Sequence, residues 1–137
     1  MGTCAECGAP DRDGLGCRGQ WDELLALEFS DVRAGPVHFH TVVCYQLQHP
    51  AAFTLPTAAR EGLRRALEDV VVHDVPISEI CSRMGGAFDG AARVRGDDAP
   101  PPTLRRWSMT VADVGPPDPD VHADRVTAWA RAVLADL

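Results

Sequence analysis

Two thiols three positions apart open the chain in Cys4-Ala5-Glu6-Cys7-Gly8, a third follows at Cys17, and an imidazole stands at His49 in a Gln-His-Pro segment. A CxxC turn aims two sulfurs at one point, and Gly8 after the second Cys permits the positive φ such a turn often needs. Thiolates and imidazole nitrogens are the donors a tetrahedral Zn2+ takes, at about 2.3 Å and about 2.0–2.1 Å. A redox role for the CxxC would require a strand–CxxC–helix setting, and no strand-like run precedes it. The same chain carries His38, Tyr45, Gln48, Asp113 and His122, groups able to move protons or orient a substrate if one metal position were open.

These residues need elements to position them. The stretch Gly35–Pro50, GPVHFHTVVCYQLQHP, reads as a helix: Pro36 suits a first turn, and Pro50 stops the helix by disfavouring helical geometry at His49. Phe39, Val43 and Leu47 form one stripe; His38, Thr41, Val42, Tyr45, Gln48 and His49 form the next. Trp21, Leu24, Leu25 and Glu28 predict a preceding helix over about 18–29. The linker from Ser30 to Gly35 is short, so the two helices are expected to be antiparallel neighbours.

That hairpin decides which imidazole joins the thiols. Residues equally distant from the turn lie level, which pairs Cys17 with His49 and Glu28 with His38. At about 1.5 Å per residue, His38 and His49 are ~16 Å apart on a continuous helix, too far to share one ion. The expected site is therefore Cys4, Cys7, Cys17 and His49, with His38 left to bond Glu28 or Asp31. His40 and Cys44, four apart, are a rival chelating pair, but read more simply as a helix-start or surface His and a small buried Cys. Cys81 reads as part of an apolar stripe.

At 137 residues and 45% apolar composition, a single mainly α domain is expected, a bundle of about five helices with the knuckle docked on the hairpin. Residues 1–16 form the knuckle, 17–84 the helical hairpins, 85–106 a long loop, and 107–137 a terminal turn and helix. Thr57 begins an amphipathic helix, and Pro76 begins a short fourth one whose inner side carries Ile77, Ile80, Cys81 and Met84. Trp107, Val111 and Val114 suggest a turn plugging the core. Asp118, Pro119 and Asp120 suggest N-cap, N1 and N2 of the last helix, with His122, Val126, Trp129 and Val133 on its inner face. Arg93, Arg95, Arg105 and Arg106 on the loop could meet an acidic ligand, but read more simply as solubilising charge.

Net charge −7 argues against nucleic acid or an anionic membrane as partner, leaving a protein or a small molecule. No apolar run approaches a membrane span, and the N-terminus lacks the basic and apolar regions of a signal peptide. A cytoplasmic setting is expected, where five cysteines, an odd number, favour metal binding over disulfides.

The motifs together resemble a family of small bacterial proteins catalogued as a domain of unknown function. Its pattern is met by Cys4, Cys7, Gly8 and Cys17, by His38, Thr41, Val42, Tyr45, Gln48, His49 and Pro50, and by Thr110, Val111, Asp113, Val114, His122, Trp129 and Ala130. His40 and Cys44 fall where that pattern is free. The resemblance implies a choice of residues and no reaction. The reading it leaves is a structural Cys3His zinc site in an accessory or binding module, with a small metal-dependent enzyme as the alternative.

Overall fold

The computed structural model describes residues 2–83 and 100–137. Six α-helices fall within them: α1 Cys17–Ser30, α2 His38–Gln48, α3 Thr57–Val71, α4 Ile77–Arg83, α5 Val111–Val114 and α6 His122–Asp136. No strand is present among the described residues, and none of their helices is long and apolar enough to cross a membrane. The mainly α, small-bundle architecture is the one the periodicity predicts.

Helix α1 buries Cys17, Gln20, Trp21, Leu24 and Glu28, one stripe running its full length. The chain turns through Asp31–Ala34 into a single 3-10 turn, Gly35–Val37, that holds Pro36. Helix α2 then starts at His38, slightly later than Pro36 alone suggests, and ends with His49 as C-cap before Pro50. α2 is buried on most sides, because α1, α3 and α6 all pack on it. Its partners supply Leu24, Leu63, Leu67, Val126, Trp129 and Val133 to the core.

Several polar groups on these buried faces are bonded within the protein, with His40 Nδ1 and Gln20 Oε1 as exceptions. Trp129 Nε1 donates to Gln48 Oε1 (3.2 Å), Gln48 Nε2 donates to the Met109 carbonyl (2.8 Å), and Trp21 Nε1 donates to the Thr41 carbonyl (3.1 Å). Helix α3 buries Leu63, Ala66 and Leu67, while Arg64 on its outer side pairs with Glu61 and Glu68.

Three expectations are corrected. In α4 only Ile80 is buried, and Cys81 faces solvent, because so short a helix touches the bundle along one edge. The last helix begins at His122, not after Asp118. The Asp118 carboxylate accepts from Asp120 N (3.0 Å) and its carbonyl from Val121 N (3.2 Å), forming a separate turn before the helix. Of the plug, Val111 and Val114 are buried but Trp107 is only half-buried. Met84, Arg93 and Arg95, and most of the 85–106 loop, lie outside the described residues.

Candidate metal centre

The knuckle is closed by its own backbone. Gly8 N donates to the Cys4 carbonyl (3.0 Å) and Cys4 N to the Ala9 carbonyl (2.9 Å), with Gly8 at φ +78°. Amides of the turn also point at sulfur: Glu6 N lies 3.4 Å from Cys4 Sγ, and Ala9 N lies 3.4 Å from Cys7 Sγ. Glu6 fastens the loop to the end of α2. Its carboxylate oxygens accept from Ala51 N (2.9 Å) and Ala52 N (3.2 Å), amides exposed because Pro50 has ended the helix. Cys17 sits at the first position of α1 and His49 at the C-cap of α2, level with each other across the hairpin.

These segments meet at one point. One donor atom each from Cys4, Cys7, Cys17 and His49 lie within 4.8 Å of one another; Cys4 is half-buried and the other three are buried. His49 Nε2 stands 3.4 Å from the sulfurs of both Cys4 and Cys17. A tetrahedron with the zinc bond lengths has sulfur–sulfur and sulfur–nitrogen edges of roughly 3.5–3.8 Å, so a set of this size fits such an ion. The tautomer is also fixed. His49 Nδ1 is 2.7 Å from the Tyr45 carbonyl, which can only accept, so Nδ1 carries a proton and Nε2 is the nitrogen that faces the sulfurs.

An aromatic column supports the site. Trp21 and Tyr45 stack at 4.3 Å and 9°, Tyr45 and His49 at 3.9 Å and 22°, and Phe53 meets Trp21 and Tyr45 edge-on. The Tyr45 hydroxyl lies 3.2 Å from Cys17 Sγ and serves that sulfur as a donor. Hydrogen bonding from Cys7, and further from His49, Tyr45 and Cys4, pulls the Cys17 thiol down to about 3 against the opposing effect of burial. Cys7 moves the other way, raised by its hydrogen bond to Cys17 and by its burial. Burial opposes charge on His49, but hydrogen bonds to Cys17 and the Tyr45 carbonyl leave it raised. Burial, then the bond to Cys17, raises Tyr45, which stays a neutral donor.

The model of a family of unknown function, DUF5946, matches residues 2–137. The chain belongs to DUF5946. No curated protein and no solved structure matches it.

Elsewhere in this DUF5946 protein, the other residues considered for catalysis are engaged away from the cluster, His38 and His122 on one carboxylate. His38 Nδ1 donates to Glu28 Oε1 (2.8 Å), the level pairing expected across the hairpin. His122 Nε2 donates to the other oxygen, Glu28 Oε2 (2.6 Å), which also accepts from the Thr41 hydroxyl. Gln48 bridges Trp129 and Met109. Asp113 closes a capping box at α5, accepting from Thr110 N at 2.8 Å while the Thr110 hydroxyl accepts from Ala112 N. Only Tyr45 touches the four-residue cluster.

His40 does not join the cluster, and it is buried where a surface or helix-start position is expected. Its Nδ1 has no partner among the described residues, and burial lowers its pKa. Cys44 is fully buried, and burial pushes its thiol up, as expected of a small core residue. Sequence reasoning missed Glu6 and the His122–Glu28 bond. The signal for Glu6 was an acidic residue inside the CxxC beside a Pro-terminated helix with free amides. No local signal links His122 to Glu28, 94 residues earlier.

Proposed function

We propose that this protein is a zinc-stapled helical binding module. Zn2+ held by Cys4, Cys7, Cys17 and His49 would pin the N-terminal knuckle to the open end of the α1–α2 hairpin. The observation that carries this reading is the convergence of four donor atoms within 4.8 Å from three separate segments, with Nε2 of His49 turned toward sulfur. Three sulfurs and one nitrogen in a compact set suit zinc, and four protein ligands leave no position for a substrate. The enzyme reading needs an open position with acid–base groups around it. Its support is weaker, because His38, Gln48, Asp113 and His122 are bonded away from the cluster. A reducing, cytoplasmic setting suits thiolate ligands, and net charge −7 suits a protein or small-molecule partner over nucleic acid or an anionic membrane.

Metal analysis of protein purified without added zinc tests the reading. One zinc per chain is expected, with an X-ray absorption shell of three sulfurs at about 2.3 Å and one nitrogen at about 2.0–2.1 Å. Chelation or Cys7→Ser should release the metal and melt the fold, since metal binding and folding are one equilibrium in such sites. Metal-free protein that melts at the same temperature, or a bound water in the shell, refutes the staple.

A further inference from the structure

A concave surface lies beside the knuckle. The end of α2, the first turns of α3 and the segment from Pro100 to Trp107 enclose a groove of about 350 Å³, and Glu6 of the knuckle forms part of its wall. Leu47, Pro50, Pro101, Trp107 and Leu137 make much of it apolar. This volume falls at the small end of the range that ligand sites occupy.

The charges around the groove are unequally spent. Both Glu6 oxygens are taken by the Ala51 and Ala52 amides. Glu61 is held by Arg64 at 2.6 Å and Arg65 at 3.2 Å, and these guanidinium groups pull its carboxyl down to about 2. The nearby Asp136 carboxylate accepts from Ser108 N (2.7 Å) and Ser108 Oγ (2.9 Å). Arg60 and Arg105 have no carboxylate within 4.0 Å among the described residues, although Arg105 lies near enough to Asp136 to help lower its carboxyl. Among the described residues Arg12, Arg18, Arg33, Arg64, Arg65 and Arg83 each have one, while Arg106, Arg125 and Arg131, which do not line the groove, have none.

The two unpaired guanidinium groups are placed rather than free. Arg60 Nη2 donates to Thr57 Oγ1 (3.1 Å), and its Nε is buried with no partner. Arg105 lies over the Trp107 ring at 4.4 Å and donates to the Asp136 carbonyl, and its amide donates to the Glu6 carbonyl (3.0 Å). Trp107 Nε1 is also buried without a partner. The groove thus combines two held cations with an apolar wall, in a place where the Glu6 and Glu61 carboxylates are already engaged. Guanidinium groups match a carboxylate fork, and a flat ring suits an apolar body.

We propose that this groove binds a small organic carboxylate, its head between Arg60 and Arg105 and its apolar body along Trp107 and Leu137. The inference gives a ligand class to the binding-module reading and rests on it. The zinc is measured separately, so the two can fail independently.

The probe is 4-phenylbutyrate, titrated into the metal-loaded full chain by calorimetry and by following the Trp107 indole N–H in 1H–15N spectra. Saturable one-to-one binding is expected, with the Trp107 resonance among those that move most. The neutral 4-phenyl-1-butanol should bind about tenfold more weakly or not at all, as should the acid to Arg60→Gln or Arg105→Gln. Both variants should keep wild-type zinc content and melting temperature. Inorganic phosphate, which has no apolar body, should not compete. Equal binding of acid and alcohol, wild-type affinity in both variants, or phosphate competing as well as the acid would each overturn the proposal.

Discussion

Glu28 is the sharpest point at which to perturb the fold without touching the candidate metal site. Its side chain is fully buried, with His122 and Thr41 on one oxygen and His38 on the other. In Glu28→Ala the three partners fare differently. Thr41 still has the Val37 carbonyl at 3.2 Å, and His38, 37% exposed, can turn to water. His122 is 1% exposed and loses its acceptor, which costs about 1–3 kcal/mol for the stranded N–H. With the void left behind, the total should reach about 3–4 kcal/mol. In Glu28→Gln the amide oxygen still accepts from His122, and the amide N–H2 can donate to His38 if that half-exposed ring changes tautomer. The cost should then be about 1–2 kcal/mol. His122→Ala should correspondingly cost more than His38→Ala. Urea unfolding of the metal-loaded proteins gives these differences, with zinc content as control. It should stay unchanged, because the Glu28 and His49 ends of the hairpin are ~16 Å apart. Equal losses for the Ala and Gln variants, a costlier His38 than His122, or metal release from Glu28→Ala would refute this account.

Tyr45→Phe should keep the aromatic column but remove the donor 3.2 Å from Cys17 Sγ. Zinc affinity should fall about 10–100-fold, read by competition with a chromogenic chelator, while the far-ultraviolet spectrum stays unchanged. His40→Leu should be neutral or stabilising at pH 7.5, since it removes a buried nitrogen without a partner. Burial holds folded His40 below its ordinary 6.5, so the unfolded chain binds that proton first and wild-type stability falls as pH drops below about 6.5. The variant lacks this contribution. The stability difference should therefore move further in its favour from pH 7.5 to 5.5, and parallel pH curves would exclude the explanation. Thiol counting on metal-loaded protein should find one fast cysteine, the exposed Cys81, with Cys44 buried and three sulfurs on zinc. Chelation in denaturant should raise the count to all five.

What the sequence determined is the hairpin and its register. Pro36 and Pro50 bracket α2, the Trp21 to Glu28 stripe sets α1, and a short linker leaves antiparallel packing as the simple solution. From that register came the level pairs Cys17–His49 and Glu28–His38, and the convergence of the knuckle on the first of them. Local chemistry carries that far because helix periodicity and a fixed rise turn residue numbers into distances. Tertiary structure alone decided the rest. It brought His122 to the second oxygen of Glu28, tied Gln48 to Trp129, and laid Arg105 on Trp107 against the knuckle. It also decided that His40 is buried and Cys81 exposed, because burial depends on which helices pack where. The contacts of His122 with Glu28, of Gln48 with Trp129 and of the Arg105 amide with Glu6 join residues about 80 to 100 positions apart, and no local spacing encodes them, since the path between them runs through the whole core.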